Sequence, residues 1–325
     1  MNMTKLHYEF TGETKEVFGV TLHRIRATRD LPHFGVRTGA VGGWIEKESN
    51  LQGDAWVADE AKVLGKAKVS GSAMVYGNAM VSGSAMVYGD AKVFGNAWIA
   101  GSPRVYGKAK VCGNAQVFNR THIHRDALVT DNSVVSGNAC VRDSAKVYGN
   151  AWVTDNAKVY GDTWVYRNAK VSDTAQVYGH AKVGGDTKVY GNAKVFGNAK
   201  VSGYAKVFDT AQVFGSTKVF GNAKVFGSVE LFGSIEVCDD ARIKRNTHYF
   251  HTITYTSTPL LLTLTRQKSG KHLIRMGYWG GTIDEFEALI TQPKRLETVF
   301  KGSYEARPEM EILASLMRAR IERWK

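Results

Sequence analysis

A chain of 325 residues is long enough for two ordinary domains, but its 34 glycines, 5 prolines and recurring Ala-Lys-Val order mark an internal repeat and exclude disorder. The net charge of +13 is spread as +2 over residues 1–44, +6 over 45–244 and +5 over 245–325, which excludes a concentrated basic tail. The longest apolar run, around Leu260 to Leu264, falls short of the roughly 18 residues of a membrane span, and Cys112, Cys140 and Cys238 have neither metal-type spacing nor an even count.

The first residues carry Lys5, Glu9, Glu13, Lys15 and Glu16 and show no apolar stretch followed by a small-residue cleavage site. A cytoplasmic protein is the expectation, with virion association left open because phage structural proteins also lack such signals. Residues 1–44 contain strand-like segments at His7 to Phe10 and Val20 to Ile25, and Gly39 to Gly43 lead into Trp44-Ile45. This region is expected to be an N-terminal cap.

From Ile45 to Ile243 an aliphatic residue falls at every sixth position, 34 in all, without insertion or deletion. Two residues earlier sits a small residue, as at Ala55, Ala61 and Ala67, with Thr at 121, 163, 187 and 217 and Ser at 133. Alternate side chains of a strand share a face, so small and aliphatic residues point into one interior and the residue between them points out. Gly and Asn then follow, as in Phe196-Gly197-Asn198, and both tolerate the positive φ of a sharp corner. Three such strands per turn predict an all-β solenoid, a parallel β-helix of 18-residue triangular coils over residues 45–244.

After Ile243 the period stops. Segments alternating Thr, Tyr and Leu from His248 to Thr265, a turn at Ser269-Gly270 and a strand from Lys271 to Met276 predict a small sheet. Thr282 with Glu285 forms a capping box for a helix through Ile290, and Ile312, Leu313, Leu316, Met317, Ile321 and Trp324 mark an amphipathic helix from Glu309. Residues 245–325 are thus expected to be an α+β C-terminal cap or oligomerisation region.

The hexads match the rule of left-handed hexapeptide β-helices and also resemble the bactofilin type of polymer-forming solenoid, which coils the other way; the left-handed form is the expectation. With the segment Tyr8-Glu9-Phe10-Thr11-Gly12-Glu13, the junction Gly42-Gly43-Trp44-Ile45-Glu46 and the closing Gly280-Gly281-Thr282-Ile283-Asp284-Glu285-Phe286, the whole chain resembles phage and prophage β-solenoid proteins described as polymer-forming. That resemblance implies a fold and a viral origin and supplies no catalytic residues.

Hexapeptide solenoids are also familiar as acyltransferases, which makes an acyltransferase the enzymatic alternative, with a catalytic His expected at a cleft between subunits. His122, His124 and His180 lie within the repeat, but the repeat lacks the loops such enzymes insert, so the expectation is a non-catalytic scaffold or interaction protein without cofactor or metal. Residues eighteen apart stack into columns, and these are the candidate surfaces. One corner column carries Tyr160, Tyr178, Phe196, Phe214 and Phe232, a candidate interface. Outward positions nearer the N-terminus carry Trp56, Met74, Met80, Met86 and Trp98, with Trp152 and Trp164 further along, and suit protein contacts. The outward lysines Lys182, Lys200 and Lys218 on one face, and Lys170, Lys188, Lys206 and Lys224 on another, are candidates for nucleic acid or another polyanion; equally, they keep a flat β-surface soluble. Expected partners are a second copy and a host or phage protein, including a host defence component in the polyanion-rod alternative; no membrane is expected.

Overall fold

The computed structural model describes residues 6–254, 260–300 and 306–324 and divides into two compact units, Met1–His180 and Ala181–Lys325. The expected parallel β-solenoid is present, with about 11 coils of about 18 residues. Its repeating strands are mostly two residues long, and the in-pointing residues that flank each outward one, such as Ala79 and Val81 around Met80, are fully buried. Gly95 turns a corner at φ +71, and a β-carbon there would lie 3.0 Å from the backbone of Gly113 in the next coil. Both the left-handed conformation and the closeness of stacked corners therefore call for glycine. Asp131 (φ 58) and Asp155 (φ 59) turn equivalent corners, because a short polar side chain tolerates this region.

In the first unit the strands stack in parallel into three faces. Face a runs from Lys62–Val63 through strands led by Met80, Trp98, Gln116, Val134 and Trp152 to Lys170–Val171. Face b runs from Lys68–Val69 through Met86, Arg104, His122, Cys140 and Lys158 to Gln176–Val177. Face c runs from Trp56–Val57 through Met74, Lys92, Lys110, Leu128 and Lys146 to Trp164–Val165. One corner is fastened by an asparagine ladder in which each Nδ2 donates to the next Oδ1, from Asn78 through Asn96, Asn114, Asn132 and Asn150 to Asn168, at 3.1, 3.0, 2.9, 3.2 and 3.1 Å.

The start of the first unit is closed by its non-repeating residues. Strands Tyr8–Val17 and Val20–Ala27 form a hairpin whose second strand pairs antiparallel with Val41–Ile45, and that strand pairs in parallel with Lys62–Val63. Within the coils a backbone N–H bonds the carbonyl of the next coil, as Trp56 N–H does to Ala73 O at 3.0 Å. Ala55 O has no earlier coil and instead accepts from His7 Nε2 at 2.8 Å. Asn50, fully buried, donates in the same manner to Ala67 O (2.8 Å) and Gly65 O (3.2 Å). The outermost strand carries Glu9, Glu13, Lys15 and Glu16 and a register irregularity between Phe10 and Thr14, devices that discourage edge-to-edge pairing.

In the second unit three faces recur. Face d stacks Lys188–Val189, Lys206–Val207, Lys224–Val225 and Arg242–Ile243. Face e stacks Lys194–Val195, Gln212–Val213 and Glu230–Leu231, and face f stacks Lys182–Val183, Lys200–Val201, Lys218–Val219 and Glu236–Val237. The last coil is finished by side chains. Glu230 N–H, which in the coil before would find a carbonyl, donates to Asn246 Oδ1 at 3.0 Å, and Tyr249 OH donates to Glu230 O at 2.6 Å.

Beyond it, Tyr249–Thr254, Leu260–Arg266, His272–Met276 and Trp279–Gly281 make a four-stranded antiparallel sheet; residues 255–259 of the expected strand region lie outside the described residues. Helix α1 (Ile283–Ile290) has the predicted capping box, with Thr282 N donating to Glu285 Oε2 at 2.7 Å and Glu285 N to Thr282 Oγ1 at 3.3 Å. The short helix α2 (Pro293–Val299) is an addition to the sequence expectation, and α3 (Arg307–Glu322) is the predicted helix with a shifted apolar face: Ile312 and Leu316 of the expected stripe are exposed, while Met310 and Ala314 are buried with Met317. Its Met310, Ala314 and Met317 join Leu262, Ile274, Phe286 and Leu289 in one core, while Arg318 pairs with Asp284 at 2.7 Å and with Glu287. Among the described residues no helix is long and apolar enough to cross a membrane.

Candidate interaction surfaces

The outward column of face a concentrates exposed apolar surface in the first unit. Met80, Trp98, Gln116, Val134 and Trp152 follow in consecutive register, and Trp98 and Trp152 are 40% and 45% exposed. Phe118, on the adjoining corner, packs edge-on against Trp98 at 5.1 Å. Two exposed indoles on a flat sheet are the residue type that anchors interfaces, since a large apolar body is available at little conformational cost.

The other N-terminal candidates differ in fate. Trp56 is only 1% exposed, with His7 beside it at 6.4 Å, so the cap removes it from any outer surface. Its slot is outward, as the repeat predicts, but non-repeating residues lie over it. Met74 is half-buried next to Trp56, and Met80 packs against the buried Leu22, Trp44 and Leu64. Met86 remains exposed, on face b.

The aromatic corner column is a set of rings laid on one another. In the first unit Tyr160 and Tyr178 stack at 4.9 Å, Tyr88 and Tyr106 at 4.9 Å, and Tyr106 and His124 at 4.7 Å. The Arg142 guanidinium completes the series 4.5 Å above Tyr160. In the second unit Phe196 and Phe214 stack at 4.7 Å and Phe214 and Phe232 at 5.6 Å. Ring faces here are spent on each other, and of these aromatics only Phe232 is largely exposed.

A stretch matching the YdcK β-solenoid repeat family spans residues 73–89. No curated protein matches the chain. The similarity accords with coils built on Met74, Met80 and Met86.

The lysine candidates fall into separate settings. Lys170 belongs to the first unit, in register with Trp152 and with its ammonium 4.8 Å from that ring. On face f Lys182, Lys200 and Lys218 are in register, and Lys218 Nζ reaches Glu236 Oε1 at 2.7 Å. On face d Lys188, Lys206 and Lys224 are in register and the column continues into Arg242, a cation outside the set expected from sequence.

Leu128, Thr130, Asp131, Lys146, Tyr148 and Trp164 line a groove of about 290 Å³, and a cleft of about 700 Å³ opens beside Leu6, His7, Arg29 and the Glu48 to Asp54 stretch. Face b also brings Cys140 Sγ within 3.7 Å of His124 Nε2. Burial, followed by the charges of Arg142 and Arg125, holds the His124 pKa below its ordinary value, while burial pushes the Cys140 thiol up. The pair therefore rests as neutral imidazole and neutral thiol, without the thiolate that nucleophilic chemistry requires.

Proposed function

We propose that this protein is a non-catalytic β-solenoid interaction protein of the phage type that its sequence resembles, acting in the cytoplasm and self-associating through face a of the first unit. The observation that carries the reading is the in-register run Trp98, Gln116, Val134 and Trp152 with its two exposed indoles. A flat column of this kind lets a two-fold-related copy lay its own column alongside, an isologous contact that closes at the dimer. His7 and Asn50 at one terminus of the repeat, and Asn246 and Tyr249 at the other, take up the hydrogen bonds that a further coil would make. Association through a face is favoured over end-to-end stacking for that reason.

The repeat's histidines sit in structural contacts, which weighs against the acyltransferase reading: His124 is stacked on Tyr106, His122 is in register with Cys140, and His180 Nδ1 lies 3.4 Å from Asp162. Sedimentation equilibrium across micromolar concentrations tests the proposal. Wild type is expected as a dimer and the Trp98→Glu/Trp152→Glu variant as a folded monomer. A monomeric wild type overturns self-association, and a variant that still dimerises overturns the choice of face.

A further inference from the structure

Face d of the second unit is a line of cations. Lys188 pairs in register with Lys206, Lys206 with Lys224 and Lys224 with Arg242, so positive groups succeed one another at the strand spacing of about 4.7–4.9 Å. Like charges directly opposite one another weaken a sheet, and face f relieves its own ladder with Glu236 beneath Lys218. Further ion pairs of the second unit lie at Arg275–Asp239, Arg307–Glu311 and Arg318 with Asp284 and Glu287. On face d the charges act on each other: the ammonium of Lys224 is held below the ordinary lysine range, first by burial and then by Arg242, Lys206 and Lys268. Asp209, on the adjoining corner, turns its Oδ2 to Gly227 N–H at 3.0 Å.

Alongside the cations stands a second ladder. Tyr190, Phe208 and Phe226 occupy the next corner and stack at 4.9 Å each, within 3° of parallel. Their flat faces cover one another, so the wall offers ring edges and no platform for a nucleobase, the contact on which single-stranded nucleic acid binding relies. The phosphates of one B-DNA strand advance about 3.4 Å per nucleotide, out of step with the ladder. The chemistry that suits it is a linear polymer that carries carboxylates at regular intervals and has no base to stack.

We infer that face d binds a linear polyuronate, an acidic polysaccharide whose carboxylates meet the cations of Lys188, Lys206, Lys224 and Arg242 while its sugar edges meet the Tyr190, Phe208 and Phe226 wall. This surface belongs to the second unit and its test is independent of self-association through the first.

Full-length protein is titrated calorimetrically with oligogalacturonate at low and at physiological salt. Parallel titrations use neutral dextran and a single-stranded oligonucleotide of equal charge. Wild type is expected to bind oligogalacturonate, more weakly as salt rises, and to ignore dextran. The Lys188→Gln/Lys206→Gln/Lys224→Gln variant should bind about tenfold to a hundredfold more weakly, whereas Lys68→Gln/Lys92→Gln/Lys110→Gln, with the same change in net charge, retains the wild-type affinity. If the ladder variant misfolds by circular dichroism, the single Lys206→Glu reversal replaces it. No oligogalacturonate binding at low salt, equal losses in both triple variants, or equal binding of dextran would overturn the inference. Tighter binding of the oligonucleotide would overturn the choice of polymer.

Discussion

Position 163 and position 217 occupy the same slot of the repeat, the small in-pointing residue, and both are fully buried threonines. Their hydroxyls differ. Thr217 Oγ1 donates to Phe214 O at 2.7 Å, while Thr163 Oγ1 is buried without a hydrogen-bond partner. Valine has the shape of threonine with a methyl in place of the hydroxyl, so substitution changes the polar balance with little change in packing. A buried unsatisfied polar group costs about 1–3 kcal/mol, and a satisfied bond contributes about 0.5–1.5 kcal/mol. Thr163→Val should therefore stabilise by about 1 kcal/mol and Thr217→Val destabilise by about 1 kcal/mol, opposite signs from one substitution in one slot. Thr163→Ser keeps the orphan hydroxyl and loses the methyl, so it should destabilise. The assay is urea unfolding followed by circular dichroism, with the slope checked for constancy so that midpoint shifts report stability. Native-state hydrogen exchange of the coil's amides reads the same change locally, which matters because stacked repeats lose full cooperativity. If Thr163→Val destabilised as much as Thr217→Val, the assignment of opposite roles to the two hydroxyls would be refuted, and methyl packing would outweigh hydrogen bonding in this slot.

Gly43→Ala should destabilise by about 1–3 kcal/mol or prevent folding of the first unit, because its β-carbon would lie 2.8 Å from both Ala61 O and Val57 Cγ1; a thermal melt equal to wild type would contradict this. His7 and His248 both have pKa values held below 6.5, chiefly by burial, so the unfolded chain binds more protons as pH falls. Stability from these residues is present above about pH 6.5 and is lost below it; the unfolding midpoint should drop from pH 7 to 5.5, and His7→Gln should flatten that drop, which a pH series of urea titrations checks. Cys112, Cys140 and Cys238 are free, with Cys140 half-buried, Cys112 buried and the Cys238 thiol pushed up to about 12, first by burial and then by its bond to Asp239. Native protein should react with a thiol probe at Cys140 first and at Cys238 last, with three thiols per chain after unfolding; mapped labelling led by Cys238 would reverse the argument.

The repeat was legible because its determinants are local. A small residue, an outward residue, an aliphatic residue and a glycine corner each act within six positions, and the column rule of eighteen follows from three corners per coil. It correctly brings Lys182 to Lys200 and Lys188 to Lys206. The same rule contains the asparagine ladder from Asn78 to Asn168, but a corner asparagine is naturally read for its tolerance of positive φ, and that reading ignores what its amide does to the next coil. Arg242 continues the face d column by the same spacing and is easily missed because it stands where lysine gives way to the last, irregular coil.

What the sequence could not show is which outward positions stay outward. Trp56 and Trp98 fill identical slots, yet one is 1% and the other 40% exposed. The difference is made by His7, which sits far from Trp56 in sequence and reaches Ala55 O because the hairpin folds back onto the first coil. A hexad specifies the direction of a side chain, and the non-repeating residues decide whether solvent meets it. The same logic separates ends from faces. Solenoid edges present unpaired backbone groups whatever their side chains, so an end is protected only by dedicated residues such as Asn50 and Asn246, whereas a face acquires its chemistry directly from the outward column. With the edges provided for in this way, the proposed self-association and the proposed polyuronate binding both rest on outward columns, tryptophan on face a and lysine on face d, where single substitutions leave untouched the interior that holds the coils together.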